Sequence, residues 1–393
     1  MRWVSVVSTE VSLELAIKDI VQQVTEELGQ ASIDLGLLFV SSSFASEYTR
    51  VLPLLHRHLT IANLLGCSGA GIIGAGREWE EEPAIALMAG ILPDTHLHLF
   101  HCVSRDLPDP DCPPDQWHRL VGVSPEVEAG FILLGDGFSF AITDFLQGMD
   151  FAYGRAPKVG GLASGSATAL FLNRDLYRQG LVGVALWGMI SLAPIVAQGC
   201  RPIGEIMQVS QAERNLILAL DNQRPLSLLQ KIVDNLPETD RQLVQSSLFI
   251  GLVMDEFQLV PRQGDFLIRN IIGVDPRSGA IAIGDRIRAG QRVQLHVRDR
   301  RASAEDLHHN LELFKTPKPL IRGAVMFSCL GRGQRLYGKP NFDAQVFQEY
   351  FGDTPLGGFF CNGEIGPVGG TTFLHGYTSV FGLFMEVGAP EVF

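Results

Sequence analysis

The amino-acid sequence predicts an α/β (or α+β) protein made of two related domains, each a mixed β-sheet with helices packed on it. Three observations support this prediction. The chain is 393 residues long, a unit of strand, helix, glycine-rich turn and strand recurs along it, and short apolar runs typical of buried strands start each unit. A single hydrophobic core stops growing at about 250–300 residues, so two domains are expected. We place them at residues 1–220 and 221–393.

The first copy of the unit lies between residues 36 and 90. Its predicted strand, helix, glycine-rich turn and closing strand are at 36–40, 47–58, 66–71 and 84–90. The helix is predicted because Val51, Leu54 and Leu55 recur at helical spacing. The continuous apolar run at 37–40 is typical of a strand that is buried on both faces.

Two further copies repeat these elements in the same order. In the second copy the strand, helix, turn and strand are at 130–134, 140–148, 161–166 and 181–187; in the third they are at 323–327, 342–351, 360–366 and 378–384. The three turns align as Cys67-Ser68-Gly69, Ala163-Ser164-Gly165 and Cys361-Asn362-Gly363. A shared pattern of a small residue, a polar residue and glycine predicts equivalent turns in all three copies.

Other segments separate the copies. The domain boundary is predicted at 221–225, because an amphipathic helix over 226–233 follows it. Another helix is predicted over 302–314, with Ser303 as its N-cap. The Pro/Asp-rich loop at 106–114 disfavours both helix and central strand.

Composition and charge exclude several classes of protein. The net charge is −12 and no basic run offsets it, which argues against nucleic-acid binding. Six cysteines without a Cys-x-x-Cys pair indicate reduced thiols and a cytoplasmic location. The uncharged stretch 179–200 is long enough to span a membrane, but glycines and a proline interrupt it, so a buried strand is the better prediction.

The turns predict a site for a small ligand. Glycine permits positive φ, so successive backbone N–H groups of such a turn point into one concavity, where they bind anions such as carboxylates. Glu364 follows the third turn directly and is predicted to hold the ammonium group of an amino-acid-like ligand. The predicted ligand-binding residues are Gly66, Cys67, Ser68, Gly69, Ser164, Gly165, Cys361, Asn362, Gly363, Glu364 and Gly366.

Other motifs in the sequence suggest other functions. The stretch 69–74 matches the dinucleotide fingerprint G-x-G-x-x-G, but no helix is predicted to open there, as that fold requires. A set of potential metal ligands matches no standard zinc spacing; it consists of His96, His98, His101, Cys102, Cys112 and His118. No catalytic motif is evident, so a binding protein without metal or cofactor is favoured over an enzyme. An enzyme that uses Cys361 or Glu364 on a small substrate, or a protein-interaction scaffold, stays open as an alternative.

Two segments resemble signatures of a known family. Residues 357–366 resemble the signature of the FIST C-terminal domain, and residues 65–71 resemble the Gly-Cys-Ser turn of the FIST N-terminal domain. The resemblance implies a sensory protein that binds small ligands such as amino acids and acts with signalling partners. The second turn departs from the pattern, since Ala163 stands where the other two turns have cysteine.

Overall fold

The computed structural model describes residues 1–314 and 320–387. The helices are α1 (Leu13–Leu28), α2 (Tyr48–His56), α3 (Pro114–Val121), α4 (Ile142–Ala152), α5 (Pro225–Asp234), α6 (Glu238–Ser247), α7 (Arg300–Leu313), α8 (Gln334–Tyr337) and α9 (Phe342–Phe351). The first half of the strands comprises β1 (Arg2–Ser8), β2 (Ile33–Ser41), β3 (Ile61–Gly69), β4 (Gly71–Gly74), β5 (Arg77–Trp79), β6 (Ile85–Ile91), β7 (Thr95–Cys102), β8 (Gly130–Gly135), β9 (Lys158–Leu162), β10 (Leu170–Leu172), β11 (Asp175–Tyr177) and β12 (Leu181–Gly188). The second half comprises β13 (Ile190–Gln198), β14 (Cys200–Glu213), β15 (Leu216–Leu220), β16 (Leu248–Val253), β17 (Phe266–Val274), β18 (Ile281–Ile283), β19 (Arg292–Arg298), β20 (Ile321–Cys329), β21 (Leu356–Cys361), β22 (Glu364–Val368), β23 (Thr371–His375) and β24 (Thr378–Glu386).

The predicted fold class is confirmed, and so are the repeated strand–helix–strand units. The helix predicted at 342–351 is α9, and the strands predicted at 130–134 and 181–187 are β8 and β12. The turn predicted at 66–71 is wrong, because the chain there is extended, as the end of β3 and the start of β4.

The described chain forms two compact units. Among the described residues, the larger unit contains 1–196, 308–314, 320–374 and 378–387; the smaller unit contains 197–307 and 375–377. All three copies of the repeat lie in the larger unit. The compact units therefore follow a different division from 1–220 and 221–393, which stays a prediction.

The larger unit is built on three six-stranded sheets that share one plan. Their strand orders are β1-β6-β2-β3-β10-β11, β7-β12-β8-β9-β22-β23 and β13-β24-β20-β21-β4-β5. In each sheet the two strands joined by the repeat's helix are parallel, namely β2 with β3, β8 with β9 and β20 with β21. Each copy of the repeat therefore supplies the three central strands of one sheet.

The outer hairpin of each sheet comes from a different copy. The hairpin β4–β5 of the first copy completes the sheet of the third, β10–β11 of the second completes that of the first, and β22–β23 of the third completes that of the second. This cyclic exchange brings the carboxyl ends of β3, β9 and β21 together. The inner faces of the three sheets share one apolar core, to which Phe39, Ile132 and Phe327 contribute fully buried side chains.

A glycine in each sheet lies opposite a carbonyl of the neighbouring parallel strand. A β-carbon there would collide with that carbonyl oxygen. The distance between the two atoms would be 2.1 Å for Gly66 and Leu38, 1.8 Å for Gly160 and Leu133, and 1.9 Å for Gly358 and Met326. Cys67 follows its glycine by one residue, whereas Ala163 and Cys361 follow theirs by three. The sequence alignment of the turns is therefore wrong by two residues in the first copy.

The smaller unit is a closed barrel of antiparallel strands. Its strand order is β14-β15-β18-β17-β16-β19. Ile250, Ile281 and Leu295 are fully buried in its core, and Leu229 of α5 packs against them, as the amphipathic pattern predicts.

Two further predictions concern helices. The helix predicted at 302–314 is α7, but its N-cap is not Ser303: the helix begins at Arg300, and Oδ1 of Asp299 accepts from the N–H of Arg301 at 2.8 Å. The uncharged stretch 179–200 contains all of β12 and β13. Within the described ranges, no helix has both the length and the apolar character needed to cross a membrane.

Candidate functional site

The segments predicted as turns in the three copies meet at one place in the larger unit, and the name turn is kept below for all three, although the first is extended. The N–H of Ser164 donates to the carbonyl of Ser68 at 3.1 Å, and the hydroxyl of Ser164 donates to the carbonyl of Phe360. The N–H of Asn362 donates to the carbonyl of Leu162 at 3.0 Å. The second turn is thus hydrogen-bonded to the first and to the third, and the predicted site residues of all three copies converge.

The same hydrogen bonds change the expected chemistry of the turns. The N–H of Ser68 donates to the carbonyl of Ala169 at 2.9 Å, and the N–H groups of Ser164 and Asn362 are used as described above. The N–H of Ala70 donates to Oγ of Ser164 at 2.8 Å. The prediction of an open amide nest at these residues is wrong, because neighbouring carbonyl groups and the hydroxyl of Ser164 already accept from their N–H groups.

Glu364 and Cys361 form a fully buried pair behind the third turn. The thiol of Cys361 donates to Oε1 of Glu364 at 3.4 Å, while Oε2 accepts from the N–H of Thr378 at 3.1 Å and from its hydroxyl at 2.6 Å. Burial raises the pKa of Glu364 from 4.5 to about 7. Burial, and next the charge of Glu364, raise the pKa of the Cys361 thiol well above its ordinary value. A nucleophilic cysteine needs a lowered pKa, so this environment argues against thiol catalysis.

The raised pKa of Glu364 predicts a pH-dependent stability. Between pH 4.5 and about 7 the folded protein keeps a proton on Glu364 that the unfolded chain loses, so stability falls as pH rises through this window. In the wild type, Glu364 should lower the free energy of unfolding by up to about 1.4 kcal/mol for each pH unit in this window, and Glu364→Gln should abolish that contribution. Urea denaturation at a series of pH values measures it. Parallel profiles for wild type and Glu364→Gln would contradict the prediction, and the exposed Glu126→Gln should keep the wild-type profile.

A cavity opens beside the converging turns, within the larger unit. Its volume is about 190 Å³, and its walls consist of Ala70, Gly71, Glu80, Glu81, Leu330, Arg335 and Phe360. Ala70 connects β3 to β4, Gly71 is the first residue of β4, and Phe360 is the last residue but one of β21. Two carboxylates and one guanidinium therefore face a small space next to the first and third turns.

Glu80 is held in place on one wall of the cavity. Its Oε1 accepts from the N–H of Gln334 at 2.7 Å. A β-carbon on Gly333 would lie 2.4 Å from this same oxygen, so only glycine permits this approach. Burial raises the pKa of Glu80 above its ordinary value, so a cation in the cavity would be favoured by a carboxylate that is already partly desolvated.

A buried ion pair anchors the segment that carries Leu330 and Arg335. Arg332 and Asp343 are both fully buried; Nε and Nη2 of Arg332 donate to the two carboxylate oxygens at 2.7 and 3.0 Å. Nη2 also donates to the hydroxyl of Tyr337 at 2.6 Å. No motif in the sequence predicts this pair. The available signal was an arginine between two glycines, at 331–333, directly after an apolar strand.

Glu78 adds a second buried carboxyl group to this region. Its Oε1 accepts from the N–H of Ala344 at 2.8 Å, in the first turn of α9. Burial, and next the charge of Asp343, raise the pKa of Glu78 to about 8. Glu78, Arg332 and Asp343 therefore form a buried cluster of ionisable groups that no sequence pattern predicts.

The remaining predicted residues occupy different environments. Asn362 and Gly165 are exposed, whereas Gly66, Cys67, Gly69 and Gly363 are buried. Gly366 packs against Val196 and Val380, which leave no room for a side chain. The ligand-binding role of the predicted set stays a prediction.

The competing motifs are built into sheets. The fingerprint stretch continues into β4 instead of a helix. His96 stacks on Trp187, and His101 stacks on Tyr177 with ring centroids 3.8 Å apart. The described residues contain no group of three or more potential ligands that could hold a metal ion.

Several known proteins are similar to this chain in sequence or structure. An uncharacterized protein of Mycobacterium tuberculosis (strain ATCC 25618 / H37Rv) is 36% identical over 389 residues, 97% of this chain and 98% of its own. An uncharacterized protein of Mycobacterium bovis is 34% identical over 372 residues, 93% of this chain and 94% of its own. The human F-box only protein 22 is 52% identical over 42 residues, 10% of each chain. A solved structure of a cyanuric acid hydrolase from A. caulinodans aligns over 98% of this chain and all of its own, with 10% identity and a TM-score of 0.34, too low to support a functional argument.

The family is shown by the match to two domains. Residues 34–223 match the FIST N domain, and residues 225–367 match the FIST C domain. Together these segments cover most of the chain, and the relatives in Mycobacterium match over nearly their full length. The chain therefore belongs to the FIST family.

Proposed function

We propose that this FIST protein is a cytoplasmic sensory protein that binds a small ligand and passes the signal to a protein partner. FIST domains are associated with signal transduction, which supports a sensory role. The observation that carries the proposal is the cavity of about 190 Å³ beside the converging turns, whose lining includes two carboxylates and a guanidinium. Drug-sized ligands occupy cavities of about 300–1,000 Å³, so the ligand of this site is smaller.

The charges of the cavity favour an amino acid or a similar small carboxylate. Arg335 offers a planar pair of donors that suits a carboxylate. Glu80 and Glu81 supply the opposite charge for an ammonium group. In this arrangement Glu80, and not Glu364 as predicted from the sequence, binds the ammonium group, because both oxygens of Glu364 are already bonded inside the protein.

Ligand binding by wild type and two cavity variants tests the proposal. We expect at least one compound among the proteinogenic amino acids and small dicarboxylates to raise the melting temperature, with calorimetry giving the Kd. Arg335→Ala should weaken binding of that compound about 10- to 100-fold, since a charged hydrogen bond contributes about 1.5–3 kcal/mol. Glu80→Gln should weaken the binding of amino acids more than the binding of dicarboxylates, because it removes only the site for the ammonium group.

Arg105→Ala is the matched control, since its side chain is 88% exposed and lies outside the cavity. This variant should bind like the wild type. If no compound stabilises the wild type, or if Arg335→Ala binds with undiminished affinity, the cavity is not the ligand site.

A further inference from the structure

A second and larger cavity runs along the edge of the first sheet, within the larger unit. Its volume is about 460 Å³, and residues 3–6 of β1 form its floor. β1 is a terminal strand, paired on one side with β6. Its other side therefore faces the groove.

The edge of β1 still has backbone groups available for hydrogen bonding. Nε2 of Gln23 donates to the carbonyl of Val7 at 2.9 Å, which shows that the carbonyl of Val7 points away from β6. Alternate residues of an antiparallel strand direct both backbone groups to the same side, so Trp3 and Ser5 share this direction. The hydroxyl of Ser5 is bonded to the opposite wall, since it donates to the carbonyl of Leu356 at 2.7 Å and accepts from the N–H of Ala75 at 3.1 Å. Among the described residues, no backbone group hydrogen-bonds to the main-chain N–H or carbonyl of Trp3 or Ser5 from that side. The edge can accept one more strand.

The two walls of the groove differ in charge. Val4 and Val6 pack in the core under α1, and the α1 wall carries the exposed carboxylates of Glu26 and Glu27. The opposite wall is formed mainly by small, apolar or uncharged residues, among them Ala75, Gly76, Gln348, Pro355 and Leu356, with Asp353 as its one charged member. Among the described residues, no lysine or arginine lines the groove. The guanidinium of Arg2, at one end, is engaged by the carbonyl of Glu27.

We propose that the groove binds an extended segment of a partner protein, which adds to β1 as a further strand and presents basic side chains to α1. Side chains alternate between the two faces of a strand. A segment with lysine or arginine at every second position therefore places its charges on Glu26 and Glu27 and its apolar residues on Pro355 and Leu356. Strand addition of this kind draws affinity from main-chain hydrogen bonds and specificity from the alternate side chains.

A synthetic peptide of three Lys-Val repeats, blocked at both ends and carrying a fluorophore, tests the proposal by anisotropy at low salt. We expect the same peptide with N-methylated valines to bind about tenfold more weakly or not at all, because it lacks the donors for β1. A Glu-Val peptide should not bind. Hydrogen exchange at the amides of Trp3 and Ser5 should slow when the Lys-Val peptide is bound.

Variants of the wall separate strand addition from simple charge attraction. The double variant Glu26→Gln/Glu27→Gln should weaken binding about tenfold at low salt, whereas the exposed pair Glu126→Gln/Glu128→Gln should leave it unchanged. Equal binding of the N-methylated peptide, full competition by spermine, or unchanged exchange at Trp3 and Ser5 would each overturn the proposal. None of these results depends on the small-ligand cavity.

Discussion

Replacing Gly160 with alanine is expected to lower the free energy of unfolding of the larger unit by about 3 kcal/mol, near the upper end of the cost of overpacking. The new β-carbon would lie 1.8 Å from the carbonyl oxygen of Leu133. That oxygen belongs to the central parallel pair β8–β9, so relief requires the backbone of a buried sheet to move. Gly66 and Gly358 occupy the same position in the other two sheets, and their alanine variants should behave alike.

Urea denaturation followed by tryptophan fluorescence measures this effect. The four tryptophans, Trp3, Trp79, Trp117 and Trp187, all lie in the larger unit. Gly135→Ala is the matched control in β8, since the nearest atoms to its β-carbon are the ends of flexible leucine side chains, the closest at 3.3 Å. It should cost at most about 1 kcal/mol. A Gly160→Ala variant as stable as the wild type would show that the sheets are not packed as described.

Replacing Arg332 with methionine is expected to cost about 3–5 kcal/mol, the usual cost of leaving one partner of a buried ion pair behind. Arg332 and Asp343 have no exposed side-chain surface, and the guanidinium supplies both hydrogen bonds to that carboxylate. The double variant Arg332→Met/Asp343→Leu should lose less stability than Arg332→Met alone, because it removes the unpaired charge as well.

The same urea experiment tests this prediction. Arg119→Met is the matched control, since Arg119 forms an exposed ion pair with Asp115 at 2.6 Å. Exposed pairs contribute about 0–1 kcal/mol, so the control should unfold close to the wild type. If Arg332→Met also unfolded like the wild type, Asp343 would have to be neutral or solvated in the folded protein, and the anchor for Leu330 and Arg335 would be lost from the site.

The sequence predicts local structure well because periodicity and turns are local signals. The helix predicted at 342–351 is α9, residue for residue, and the apolar run at 132–134 lies fully buried in β8. The position of β4–β5 in the sheet of the third copy could not be predicted, because the spacing of residues carries no information about which distant strands pair. The burial of Glu364 was missed for the same reason: the turn around it suggests exposure, and only the surrounding sheets exclude water. The cavity walls lie partly at 330–335, where a Gly-Arg-Gly segment has the appearance of an ordinary loop.

The exchange of hairpins among the sheets fixes how many copies of the repeat the protein contains. In linear arrays a unit is gained or lost at an end, because each unit contacts only its neighbours. Here the relation is circular: deletion of one copy would leave one sheet without its outer hairpin and another hairpin without a sheet, both with unpaired edges prone to aggregation. Length variation among FIST proteins is therefore expected in connecting loops and in the inserted segment 197–307. The number of repeat copies, and of sheets that exchange hairpins, is expected to stay at three.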